Sequence, residues 1–275
     1  MIYTRADLVL QSEKPITING FTGSTIRGAI CHQLMKNCTQ ENKNCKECTN
    51  KALCTNYLLF NSCQNNVADT NPIIINVSYS LEGVKTNTIS LELILVGKGI
   101  LAFNSLLDTF KKGINLHNYS DKEYVRFRLK ECNNVITENI KPKLLSTDGI
   151  RVEIENPVIL KDSMRDMTPE SFMRAVLIRN KTIGEITNHH SELSYLQACS
   201  DVKENTEVKN NNIKEVNRER YSTRTQAKMK YKGLYGYIEY KGDFTKYAEQ
   251  LAVAEKFNIG KLCSMGSGKI RITPL

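Results

Sequence analysis

Histidine is scarce in this 275-residue sequence: His32, His117, His189 and His190 are the only four. No His-x-Glu pair, nucleophile elbow or paired acidic motif accompanies them, so no metal-dependent nuclease centre is visible. Long hydrophobic runs are missing as well. None approaches the length of a membrane-spanning helix, so no membrane partner is expected. The opening "MIYTRADLVLQSEKPI" reads as a strand without the apolar core of a signal peptide, which predicts a cytoplasmic protein. The closing stretch "KFNIGKLCSMGSGKIRITPL" carries glycine and lysine yet lacks both familiar nucleotide motifs. A P-loop needs Ser or Thr after Gly-Lys and then a helix, but Ile270 follows Gly268-Lys269 and begins an alternating strand. A dinucleotide fingerprint needs glycine where Arg271 stands. A backbone-exposing loop feeding a basic strand remains.

Positive charge is in excess. The formal net charge is +9 and the isoelectric point about 9.0, which favours an anionic partner, nucleic acid first. Nine cysteines in a cytoplasmic chain argue against disulfides and towards metal or chance. Six crowd one stretch: Cys31, Cys38, Cys45, Cys48, Cys54 and Cys63. The isolated Cys132, Cys199 and Cys263 read as small core residues.

Hydrophobic periodicity divides the chain in two. "IYTRADLVL" is a strand, and "STIRGAICHQLMKNC" is a helix with Ser24 as its cap and an apolar stripe of Ile26, Ala29, Ile30 and Leu34. A polar, cysteine-bearing insertion occupies about 38–63. Strands at "NPIIINVSYSL" and "TISLELILVG", a helix near "ILAFNSLLDTFKKG" and a strand "YVRFRLKEC" follow. The second half has a strand "GIRVEIENPVIL", a helix "TPESFMRAVLIRNKTIGEI" capped by Thr168 with Pro169 at its first position, and a polar connection "SDVKENTEVKNNNIKEVNRER". A strand "GLYGYIEYKGD", a helix "FTKYAEQLAVAEKF" and the glycine loop with its strand complete it. This order predicts an α+β protein of two tandem ferredoxin-like (RRM/RAMP) domains, 1–147 and 148–275, with a cysteine-rich insertion in the first.

Two constellations carry chemistry. Cys38-x6-Cys45-x2-Cys48-x5-Cys54 has the spacing of a tetrahedral structural zinc site with every position taken by sulfur. Cys63 or Cys31 is an alternative ligand, and Lys36, Lys43, Lys46 and Lys51 are expected to favour the thiolates. In "EVNRERYSTRTQAKMKYKGLYGYIEYKGD", Arg218, Arg220, Arg224, Lys228, Lys230 and Lys232 interleave with Tyr221, Tyr231, Tyr235 and Tyr237. Guanidinium groups bind phosphate through paired hydrogen bonds and tyrosines stack on unpaired bases, a combination suited to RNA.

Four stretches, "GSTIRGAICHQLMKNC", the cluster ending "CTNYLLF", "RERYSTRTQAKMKYKGLYGYIEYKGD" and "FNIGKLCSMGSGKIRI", resemble one family in the same order. It is the CRISPR-associated RNA-processing endoribonucleases, the Cas-six group of the RAMP superfamily. The resemblance implies two RAMP domains and cleavage of precursor CRISPR RNA within each repeat without a catalytic metal. The RNA's 2′-hydroxyl would attack the adjacent phosphorus, leaving a 2′,3′-cyclic phosphate. It further implies a glycine loop at the domain junction, with Gly260, Lys261, Gly266, Gly268 and Lys269 near the phosphates of repeat RNA. His32 is the candidate general base, with His189 and His190 as alternatives. Tyr221 is a candidate to orient or protonate an oxygen, and Arg220 or Arg224 to bind the scissile phosphate. Arg27 is either an RNA contact or a structural anchor. The alternative function is a RAMP protein that holds repeat RNA, or assembles with other CRISPR-associated proteins, without cutting. A zinc-stapled protein that contacts only proteins would leave the basic segment unused.

Overall fold

A computed structural model describes residues 1–17, 21–36, 38, 45, 47–61, 71–118, 121–189, 193–222 and 227–275. They form two compact units, Ile2–Glu138 and Asn139–Leu275, the latter including Met1. Among the described residues no helix is long and apolar enough to cross a membrane.

The first unit runs β1 (Ile2–Thr17), α1 (Thr22–Lys36), β2 (Ile73–Val77), β3 (Lys85–Val96), α2 (Phe103–Lys112), β4 (Ile114–Asn118) and β5 (Glu123–Asn139). The sheet order is β2-β3-β1-β5-β4. Without β4 this is the ferredoxin-like arrangement, and β4 lengthens it by a hairpin with β5 that the sequence pattern does not announce. Alternation in β1 sends Ala6, Leu8 and Leu10 to the core while Arg5, Asp7 and Val9 face the other way. Against that face pack Ile26 and Ile30 of α1 and Leu106 and Phe110 of α2, all fully buried. Each such side chain stabilises the unit by about 1.5–3 kcal/mol relative to exposure. Helix α1 begins at Thr22, because the amides of Ser24 and Thr25 both donate to Phe21 O at 3.0 and 3.2 Å. Ser24 therefore sits inside the first turn and is not the cap.

The second unit runs β6 (Gly149–Val158), α3 (Pro169–Thr187), α4 (Tyr195–Asn205), β7 (Glu207–Ser222), β8 (Ala227–Lys241), α5 (Ala248–Phe257) and β9 (Ile270–Pro274). Its sheet order, β7-β8-β6-β9, is ferredoxin-like with α4 added. The polar stretch expected as a solvated connection is instead the end of α4 followed by β7, paired with β8 from Glu207↔Lys241 to Ser222↔Ala227. Its Asn, Lys and Glu residues have low strand propensity, and an edge strand with little buried surface shows no hydrophobic alternation. Helix α3 starts as its sequence demands: Thr168 Oγ1 accepts from Ser171 N at 3.2 Å, with Pro169 at the first position. Phe172, Met173, Val176 and Ile183 of α3 join Val152, Ile238, Tyr240 and Leu251 in the core. Arg179 Nε donates to Phe257 O at 2.8 Å, and Asn180 Nδ2 to Gln250 O at 2.9 Å, so α3 is pinned to α5.

Candidate functional site

The glycine loop lies where α5 ends, and its shape follows from sterics and hydrogen bonds. Gly260, Gly266 and Gly268 all have positive φ, at 84°, 83° and 74°. A Cβ on Gly268 would stand 1.8 Å from Ile259 O, and one on Gly260 2.5 Å from Ile159 O. The backbone must pass this close because it is laced to the end of β6. Gly268 N donates to Pro157 O at 3.1 Å and Lys261 N to Ile159 O at 2.8 Å. Ser267 Oγ donates to Pro157 O at 2.8 Å, Asn156 Nδ2 to Gly266 O at 2.9 Å and Asn258 Nδ2 to Ser267 O at 3.0 Å. The amides of Met265 and Gly266 turn back to Leu262 O and Cys263 O, each at 2.9 Å. These amides already have partners within the protein, and residues 262–268 are buried. The loop thus offers a ligand side chains, not a ring of open amides. Lys261 is exposed, and Lys269 Nζ lies 3.5 Å from Glu155 Oε2, a carboxylate that also pairs with Arg271.

Register divides the basic hairpin into two faces. Arg218 opposes Tyr231 and Arg220 opposes Met229, whereas Glu219 opposes Lys230 and Tyr221 opposes Lys228. Directly paired residues share a face and neighbours along a strand alternate. Arg218 and Arg220 therefore stand with Met229 and Tyr231 on one side; Lys228, Lys230 and Lys232 stand on the other. The arginine side meets the glycine loop: Arg220 approaches Met265 Sδ at 3.8 Å and Met229 Sδ at 3.3 Å, and its Nε lies 3.4 Å from Tyr231 Oη. Arg218 is buried, and a Cβ on Gly233 would meet its Cγ at an ordinary 3.6 Å while pressing on Pro157 Cβ at 3.0 Å. On the lysine side, Lys230 pairs with Glu219 at 3.6 Å and Lys232 with Glu215 at 3.0 Å, both exposed. Exposed pairs of this kind contribute about 0–1 kcal/mol, so an anionic ligand can displace Glu219 cheaply, whereas Glu215 is also held by Arg165. Arg224 lies outside the described residues, as does the Tyr221 side chain.

In the first unit His32 is exposed on α1, away from the Ile26 and Ile30 face. The Arg27 guanidinium sits 5.0 Å over the Phe60 ring, an anchor within its own unit. His117 contacts Tyr124 edge-on at 5.1 Å, and His189 Nε2, in the second unit, lies 3.7 Å from Glu249 Oε1. His190, Lys43, Lys46 and Cys63 lie outside the described residues. Cys38, Cys45, Cys48 and Cys54 line one cavity, and the described cysteines are thiols, not disulfides. The expected help of lysines toward thiolate is not seen at Cys45. Burial, and then the neighbouring Cys54, push its thiol above the usual range, while the Asn56 amide works in the opposite direction. Cys199 and Cys263 are buried, and Cys132 packs half-buried against the first core.

Sequence reasoning missed the polar pins Glu155, Asn156, Asn258 and Ser267, as well as the two faces of the hairpin. The signal for the faces was present: once "EVNRERYS" is read as a strand, Arg218 and Arg220 fall two apart, and Glu215 and Glu219 fall on the opposite side.

Two antiparallel sheets in tandem, each built on the ferredoxin-like order, define the architecture of the chain. A RAMP protein binding different RNA substrates shares this fold at 10% identity, with a TM-score of 0.57 and coverage of 98% of this chain and 99% of that one. A product complex of Thermus thermophilus Cas6 aligns at 12% identity and a TM-score of 0.63 over 99% of both chains. A Cas6-related protein of Pyrococcus furiosus aligns at 12% and 0.55 over 98% of both. No curated protein sequence matches. Residues 1–155 match a family model described as an N-terminal domain, and residues 152–270 match that of the CRISPR-associated endoribonuclease Cas6. The Cas6 match thus lies in the second half of the chain.

Proposed function

We propose that this protein cleaves precursor CRISPR RNA within its repeats, using the 2′-hydroxyl beside the scissile phosphate as nucleophile and no catalytic metal. The observation that carries the reading is the match of residues 152–270 to the Cas6 endoribonuclease family. The hairpin supports it: Arg220 stands beside the glycine loop, and three lysines stand on the other face, two of them in exposed pairs with glutamates. The O2′–phosphorus bond forms as the phosphorus–O5′ bond breaks, leaving a 2′,3′-cyclic phosphate and a 5′-hydroxyl. His32 takes the 2′-hydroxyl proton and Arg220 neutralises the pentacovalent phosphate, while the departing oxygen takes its proton from solvent. Tyr221, which falls in the lysine register of β7 and not the arginine one, is not assigned a catalytic role. Lys228, Lys230, Lys232, Lys261 and Lys269 hold the RNA backbone.

The test is incubation of the host repeat RNA with purified protein in excess EDTA, followed by analysis of product ends. A cyclic phosphate on the 5′ fragment is expected, and His32→Ala should slow product formation by about 10²–10⁴-fold with little change in binding. Tight binding without product would instead assign the protein to RNA holding, and the roles of His32 and Arg220 would fall.

A further inference from the structure

The described residues of the stretch 38–55 have no core of their own. Among the described residues of this stretch none is buried, and Leu53 is 90% exposed. Local turns are its visible support: Cys38 N to Met35 O at 3.1 Å, Lys51 N to Cys48 O at 3.3 Å and Cys54 N to Lys51 O at 3.3 Å. A segment so polar does not offset its ordering entropy by hydrophobic burial. Yet these turns direct its cysteines inward. Cys38 comes from just past α1, Cys45 and Cys48 from the turn, and Cys54 from the start of the next helical segment. All four line a single cavity of about 440 Å³.

From this convergence we propose that Cys38, Cys45, Cys48 and Cys54 bind one structural zinc ion, which staples the segment to the end of α1 and to α2. Four sulfur ligands select zinc over the hard cations that take oxygen ligands. The carboxylate on the cavity wall, Asp108, is engaged by Lys111 at 3.4 Å. Four thiolates and Zn²⁺ carry a net charge of −2, and Lys51 and Lys112 line the same cavity to offset it. Asn56 supplies an orienting contact of the kind metal ligands use: it is buried, and its Nδ2 lies 3.8 Å from Cys45 Sγ. Its Oδ1 accepts from Cys31 Sγ at 3.4 Å, and Cys31 is not among the residues that line the cavity, which argues against it as a substitute. Among the described residues no three His, Cys, Asp or Glu side chains already form a group that could hold a metal ion. Binding therefore draws the four sulfurs inward, to about 2.3 Å from zinc, and releases the thiol protons to solvent. With no coordination position open to water, the ion holds structure and takes no part in cleavage.

Metal content of the full chain, reconstituted with Zn²⁺ under reducing conditions and desalted, is the test. One zinc per chain is expected, falling to below about a tenth in Cys48→Ser and Cys54→Ser and unchanged in Cys31→Ser. Should the serine variants fail to fold, Co²⁺ exchange into the wild-type chain gives an independent reading. Thiolate-to-cobalt charge transfer and the intense visible bands of tetrahedral cobalt are expected. A wild-type chain that takes up neither metal overturns the proposal. So does zinc retained in folded Cys48→Ser and Cys54→Ser, or iron as the tightly held ion.

Discussion

Two irregular segments of this molecule, the glycine loop at 260–268 and the cysteine-bearing stretch at 38–55, are held in opposite ways. The glycine loop is almost wholly buried, and the end of β6 and buried asparagines satisfy its backbone. The cysteine-bearing stretch has no buried described residue and directs four thiols into a cavity. Irregular backbone can be fixed by complementary protein groups, in which case every atom matters, or by a cross-link, in which case only the ligands do. Mutations therefore should be punished very differently in the two places.

The largest expected effect is at Gly268. Its φ is 74°, and an added Cβ would stand 1.8 Å from Ile259 O, so Gly268→Ala forces the loop off β6. Loss of more than about 3 kcal/mol in urea unfolding is expected; a loss under about 1 kcal/mol would show the loop to be adaptable. Next is Asn258→Ala, which strips the buried Ser267 carbonyl of its donor and should cost about 1–3 kcal/mol in the same measurement. Lys261→Ala tests whether the loop meets phosphate through side chains. RNA affinity should fall a few-fold, and the slope of log affinity against log salt should drop by about 1, with stability unchanged. The smallest effect is in the other segment: Leu53→Ala, at a nearly fully exposed site, should change stability by under about 0.5 kcal/mol. A large loss there would erase the contrast.

Much of the fold was legible because its strongest signals are local. Thr168-Pro169 marked the start of α3, and the Ile26/Ile30 spacing marked the buried face of α1. β7 was hidden because an edge strand rich in Asn, Lys and Glu lacks the alternation that burial imposes, and its identity comes from pairing with β8. The basic residues were visible as a cluster, but their division into an arginine face and a lysine face needed the register. The glycines were visible as a loop with special backbone demands. That they serve close packing against β6 depends on Pro157 and Ile159, which are distant in sequence and meet the loop only in the folded chain.

The claim that the RNA's own 2′-hydroxyl is the nucleophile has one decisive measurement. Host repeat RNA is prepared as all-ribose and as a set carrying a single 2′-deoxy nucleotide at each position in turn, and each is incubated with the protein in excess EDTA. The account predicts cleavage of the all-ribose RNA and of every substituted RNA except the one lacking the hydroxyl next to the scissile phosphate. Cleavage that persists through the whole deoxy set, or that requires added metal, would contradict it.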